Sequence, residues 1–320
     1  MAILSTLGEL LLCWLAANAF HRLWIGTRLR RWEQTFVRDA QGLRPDVSPY
    51  TVGTGPVALL WVHGFADSPA VFRRMTQRLA DTGRFTCRAM RLPGAGEPVS
   101  DAARVSLVDL EESVRAEIAS LRQRHTQVWV VGHSMGASLA LQVALDPDSQ
   151  LAGVVVLAPL LRVSRRRAPV LPPSVWFRLA SGTFRFSRTF ESCFAPSVVA
   201  KDDPAFIIRR DRFIPFHTYQ HVFTLIAALA PRASALHVPV FAALAANDRV
   251  VDTPAAQQWL AVVPAVKVVH VLPDVAHELP LGNSWQQITD DMAGFIESQQ
   301  PSADRLLNRR ISNKKSQIMK

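Results

Sequence analysis

The sequence predicts an α/β fold: a mostly parallel central sheet with helices on both faces and a cap insertion. Three observations carry this. Past Pro45, short continuous apolar runs alternate with amphipathic stretches, the pattern of strands buried on both faces by crossover helices. The alternation lapses from Leu160 to about His237, where Arg, Pro and Phe accumulate, and then resumes. Of the 320 residues, 49% are hydrophobic and 19% charged, enough apolar side chain for one substantial core and too little charge for a disordered chain.

Residues 1–31 form an apolar N-terminal segment. Met1 to Phe20 is apolar apart from Glu9, Asn18 and a few small polar residues, and Leu10, Leu11, Leu12, Trp14 and Leu15 are its densest part. A spanning helix needs about 20 predominantly apolar residues. No Lys or Arg precedes the segment, whereas Arg22, Arg28, Arg30 and Arg31 follow it. The positive-inside rule then places the rest of the chain in the cytoplasm. A membrane anchor is the first expectation. A signal peptide cleaved near Ala19, exporting the protein, is the second, because Ala17-Asn18-Ala19 resembles a cleavage site. An apolar helix packed on the domain is the third.

The core is expected from 45–159 and 238–298. Val57 to Val62 (VALLWV) reads as a buried strand. Ser68-Pro69 opens a helix reaching about Asp81 and stopping at Gly83. Phe85 to Arg91 is a second strand. Leu107, Leu110, Val114, Ile118 and Leu121 recur at helical spacing behind a Ser106 cap. Gln127 to Val131 is a third strand, Met135 to Leu145 a small-residue helix and Leu151 to Leu157 a fourth strand. After the cap at 160–237 come a strand at Val240 to Ala245, a helix from Thr253-Pro254 to about Val262, a strand at Val266 to Val271 and a helix at Trp285 to Ser298. The tail, 299–320, is polar and basic and is expected to be disordered.

The net charge is +10, concentrated at Arg22 to Arg31, Arg162 to Arg167, Arg209 to Arg212 and Arg305 to Lys320. No nucleic-acid-binding motif accompanies these clusters, so nucleic acid is not an expected partner. The first cluster follows an apolar segment and suits anionic lipid. Cys13, Cys87 and Cys193 have no paired spacing, which argues against a disulfide framework or a structural zinc site.

Gly132-His133-Ser134-Met135-Gly136 matches G-x-S-x-G directly after a strand and directly before a helix. A chain turning that sharply needs glycines, and the turn lifts the serine hydroxyl clear of the sheet. A serine hydroxyl needs a base beside it. His277 fits, lying in the loop Pro273 to Glu278 between the last strand and the last helix. His270 sits inside a strand, His237 at the opposite edge, and His217 and His221 in the insertion. The acid is expected at Asp248, after the strand VFAALA. Asp252 is its main competitor, read otherwise as a residue close to a helix cap, and Asp274 a weaker one. His63-Gly64-Phe65 follows VALLWV. The amides of Phe65 and Met135 are the candidate oxyanion donors, with His63 bracing the loop and His133, beside the nucleophile, in support.

LLWVHGFADSP, VVGHSMG, AANDRVV and DVAHE together resemble the α/β-hydrolase superfamily, most of all bacterial carboxylesterases and monoacylglycerol lipases, over about Val57 to Ser298. Where those relatives often carry Gly-His-Gly after the second strand, this chain has Gly94-Ala95-Gly96, from which only a local change is expected. The resemblance implies ester hydrolysis by a Ser134–Asp248–His277 triad through an acyl-enzyme, with no metal or organic cofactor. The cap contributes Trp176, Phe177, Phe184, Phe186, Phe190, Phe194, Phe206, Phe213, Phe216, Tyr219 and Phe223. Most are expected to build the cap's own core and some to line an apolar pocket for a small-molecule ester or lipid. The same triad could serve thioesters, aminoacyl amides or carbon–carbon bonds. A membrane-tethered binding protein that has lost catalysis is the reading from another class.

Overall fold

The computed structural model describes residues 2–167, 170–192 and 194–300. Cys193 and the basic tail from residue 301 lie outside the described residues. Helix α1 (Ala2–Glu33) opens the chain. The core follows with β1 (Tyr50–Val52), β2 (Val57–Val62), α2 (Arg73–Ala80), β3 (Phe85–Met90), α3 (Val99–Ala102), α4 (Leu107–Arg122), β4 (Gln127–His133), α5 (Met135–Ala144) and β5 (Gly153–Leu157). The insertion carries α6 (Pro173–Thr183), β6 (Thr189–Glu191), β7 (Ser197–Val199), β8 (Ile207–Arg209), β9 (Phe213–Pro215) and α7 (Phe216–Leu229). The core closes with β10 (Val240–Ala245), α8 (Thr253–Val262), β11 (Lys267–Leu272) and α9 (Trp285–Ser298).

A seven-stranded sheet runs β1-β3-β2-β4-β5-β10-β11. Every pairing in it is parallel except that of β1 with β3. The short antiparallel edge strand escapes the sequence pattern because three residues show no periodicity. Strands β2, β5 and β10 are buried along their whole length, and this is why they read as unbroken apolar runs. Helix α4 starts on a capping box: the Ser106 hydroxyl accepts from the Asp109 amide while the Asp109 carboxylate accepts from the Ser106 amide. The expected single helix after Ser68 is instead a 3-10 turn, Pro69–Phe72, followed by α2.

The expected spanning anchor at 1–31 needs correction. Among the described residues no helix is long and apolar enough to cross a membrane. The apolar run of α1 is interrupted by Glu9, Asn18, His21 and Arg22, and several of its polar groups are committed to the insertion. Trp14 Nε1 and Asn18 Nδ2 donate to the Thr183 carbonyl at 2.9 and 2.8 Å. His21 Nδ1 lies 2.6 Å from Ser187 Oγ, and Arg28 pairs with Glu191 at 2.8 Å. The described helix therefore packs on the cap, which was the third of the expectations.

Candidate active site

Ser134 stands between β4 and α5 with φ +55° and ψ −119°, a backbone conformation that costs on the order of 1–3 kcal/mol for a side chain with a Cβ. Two glycines make the turn possible. A Cβ at Gly132 would lie 2.4 Å from Ala137 Cα, and one at Gly136 would lie 2.1 Å from the Val62 carbonyl oxygen. The backbones of β2, β4 and α5 thus meet at van der Waals limits, and the strain at Ser134 is held by that packing.

His277 lies in the loop after β11, as expected. Its Nε2 is 3.0 Å from Ser134 Oγ and its Nδ1 is 2.8 Å from Asp248 Oδ2. All three residues are buried. Asp248 follows β10, and its Oδ1 accepts from the amides of Val250 and Val251 at 2.6 and 3.0 Å. Burial pushes the Asp248 carboxyl up, but the hydrogen bond and charge of His277 together with these amides outweigh it and hold the group below its usual range. Asp252 is the N-cap of α8, accepting from the Ala255 amide at 3.0 Å. His270 Nδ1 lies 3.1 Å from Asp291 Oδ2 on α9. His217 bonds to the Val105 carbonyl.

The supporting histidines are buried and neutral in character. His63 Nε2 accepts from the Leu92 amide at 3.1 Å, which leaves Nδ1 to donate to the Gly64 carbonyl at 3.0 Å. It braces the loop against the turn after β3. His133 Nε2 donates to the His277 carbonyl at 3.0 Å and so holds the loop that carries His277. Burial lowers both to about 4. Met135 is the first residue of α5, so its amide has no partner in a preceding turn. The Phe65 amide donates to no backbone carbonyl among the described turns and loops. Both are available as donors, and Gly64 keeps the loop close: a Cβ there would sit 3.2 Å from Ser134 Cβ.

A cavity of about 650 Å³ opens from Ser134 into the cap. Trp176, Phe177, Phe190, Phe194, Phe216, Tyr219 and Phe223 line it with Leu160, Val163 and Val250. More cap aromatics therefore face the cavity than the sequence suggested. The reason is geometric: α6 and α7 meet through their rings in the cavity wall, where Phe177 stacks on Phe216 at 4.5 Å. Phe184 and Phe186 instead meet α1, and Phe213 packs on Trp32.

Three charged residues beside the site escaped the sequence reading. Arg210, directly after β8, reaches Glu278 at 2.6 Å and Asp67 at 3.5 Å. Burial pushes Asp67 up to about 6 against the pull of Arg210. Burial works the same way on Glu278, but the Arg210 guanidinium overcomes it and holds that carboxyl at about 2. Glu278 could have been singled out by its place next to His277; nothing in the local pattern marks Arg210. Asp67, Glu278 and His133 also stand close enough to hold a cation, but the Arg210 guanidinium already fills that role between the carboxylates.

A mostly parallel sheet with a strained, glycine-flanked serine turn after its central strand, and a carboxylate and an imidazole on later loops, has the form of an α/β hydrolase. The family model described as serine aminopeptidase, S33 matches residues 57–284, and the chain belongs to that family. A thermostable monoacylglycerol lipase from Bacillus sp. (strain H-257) is 34% identical over 107 residues, 33% of this chain and 42% of the lipase. The matched stretch thus spans under half the length of that relative. Among solved structures, the monoacylglycerol lipase of Paleococcus ferrophilus superposes with a TM-score of 0.65 at 17% identity, over 79% of this chain and 99% of its own. A soluble variant of the Saccharomyces cerevisiae monoglyceride lipase superposes with a TM-score of 0.64 at 15% identity, over 79% and 91%. A structure reported with the metagenome-derived lipolytic enzymes LipS and LipT gives 0.66 at 19%, over 79% and 98%. At these identities the superpositions establish the fold.

Proposed function

We propose that the protein is a serine hydrolase that cleaves carboxylic esters with lipophilic acyl groups through an acyl-enzyme, with 45–159 and 238–298 as its hydrolase core and 160–237 as its cap. The observation that carries this reading is the Ser134–His277–Asp248 hydrogen-bond chain opening into an aromatic-walled cavity. Ser134 Oγ attacks the ester carbonyl as its proton passes to His277 Nε2. Asp248 holds the imidazole by its Nδ1–H and stabilises the imidazolium. The amides of Phe65 and Met135 receive the developing oxyanion. His277 then protonates the departing alcohol, and a water activated by the same nitrogen releases the acid.

An aminoacyl substrate, the second reading, is disfavoured by charge. Among the described residues lining the cavity Glu191 is the single carboxylate, and it is engaged by Arg28 and Arg212 at 2.8 and 2.6 Å. A substrate ammonium would find no free counter-charge there. In the same reading α1 rests along a lipid surface from which substrate enters.

A fluorophosphonate probe should label the wild type and leave Ser134→Ala unlabelled. Each buried methylene contributes about 0.8 kcal/mol, so kcat/KM should rise at least about tenfold from acetyl to octanoyl esters of one alcohol. Equal rates across that series, or faster cleavage of aminoacyl amides, would overturn the substrate assignment.

A further inference from the structure

We infer that Arg210 is a positioning residue that seats the cap on the catalytic loops, so that base and oxyanion donors reach their working geometry together. The inference rests on the triad reading above. Arg210 belongs to the cap, yet it is only 7% exposed. Its Nη2 is 2.6 Å from Glu278 Oε2, and Glu278 directly follows His277. The same nitrogen is 3.5 Å from Asp67 Oδ2, two residues past the Phe65 amide. One guanidinium therefore bridges the loop that carries the base and the loop that carries an oxyanion donor.

The neighbouring backbone continues the seam. The Asp211 amide donates to the Ala66 carbonyl at 3.0 Å, and Ala66 is held at φ +59°, a strained conformation that needs external support. Asp211 Oδ2 accepts from the Gly96 amide at 3.2 Å and its Oδ1 meets Arg44 at 3.1 Å. Arg210 lies against the ring of Phe194 at 5.7 Å, and Phe194 lines the acyl cavity. Two consecutive cap residues thus hold three loops around the nucleophile. His133 supports the His277 carbonyl from the core side, and the Arg210–Glu278 pair holds the same loop from the cap side.

A role in position rather than in substrate contact separates kcat from KM. A displacement of about 1 Å at reacting groups can lower a rate by roughly a hundredfold. With a short, soluble ester, Arg210→Met should lower kcat by about 10- to 100-fold while KM stays within about threefold. Arg210→Lys, able to pair with one carboxylate, should recover part of the loss. Glu278→Gln and Asp67→Asn each weaken one half of the bridge and serve if Arg210→Met does not fold. The Arg210→Met and Glu278→Gln losses should not multiply in the double variant, because both act on one contact. A kcat within twofold of wild type in Arg210→Met, a loss confined to KM, or losses that multiply independently would each overturn the inference. Failure of the triad itself is read separately, as fluorophosphonate labelling that survives in Ser134→Ala.

Discussion

At the scale of single residues, burial and hydrogen bonds set the protonation of the histidines that brace the site. His133 shows the consequence most simply. Its folded-state pKa is lowered to about 4, because burial disfavours the imidazolium. The unfolded chain binds a proton at His133 below about 6.5 and the native protein does not until about 4. This residue's contribution to stability is therefore complete above about pH 6.5 and is lost as pH falls toward 4. The slope is at most about 1.4 kcal/mol per pH unit. His133→Gln retains an N–H for the His277 carbonyl and removes the titration. Chemical denaturation of both proteins from pH 7 to 4 should show a shallower loss in the variant. Parallel curves would mean that His133 titrates normally in the folded protein.

At the scale of elements, the turn from β4 to α5 was the most legible part of the molecule. Its glycines, its serine and the apolar runs flanking it are all local, and strand and helix periods change at one residue. The strands VALLWV and VFAALA were equally legible, since burial on both faces leaves no polar interruption. Boundaries slipped elsewhere: β5 begins at Gly153 rather than Leu151, and β11 runs Lys267–Leu272. The elements between β5 and β10 were not legible in the sequence, because the strands there are three residues long. Arg210 escaped for the same reason: the contact that matters lies 68 positions away, at Glu278. The turn carries its own prediction. In Gly136→Ala the new methyl would sit 2.1 Å from the Val62 carbonyl oxygen and 2.4 Å from that of His63. Neither strand backbone nor helix can give way without moving Ser134. Thermal unfolding should show a loss on the order of 1–3 kcal/mol, and fluorophosphonate labelling should slow at least about tenfold. Unchanged labelling would show that the turn has slack the packing does not suggest.

At the scale of the whole molecule, the arrangement of α1, cap and cavity bears on how the lipophilic ester of the proposed function would reach Ser134. Leu7, Leu10, Leu11, Leu12, Phe20 and Leu23 of α1 are each more than half exposed, too much apolar surface on one element for scattered exposure alone. Trp176 and Leu179 of α6 are exposed as well, and Trp176 also lines the cavity. Arg22, Arg30 and Arg31 follow the apolar stretch, where their charges would favour anionic headgroups, while Arg28 is held by Glu191. The inner contacts of α1 end on the cap, and Arg28 meets Glu191 in the cavity wall, so a helix resting on lipid would hold the cavity next to it. The wild-type protein should therefore co-sediment with vesicles containing about a third phosphatidylglycerol and do so less as salt rises, the screening length shrinking to about 3 Å at 1 M. Burying a leucine side chain contributes about 1.5–3 kcal/mol, so Leu7→Glu with Leu11→Glu, one turn apart on the same face of α1, should weaken vesicle binding by at least about tenfold. Neither residue touches the triad, and hydrolysis of a short soluble ester should be unaffected. Vesicle binding equal to wild type in the double variant would remove α1 from the lipid surface. Self-association of the wild type without vesicles, abolished by the same substitutions, would instead assign this face to a second copy of the chain.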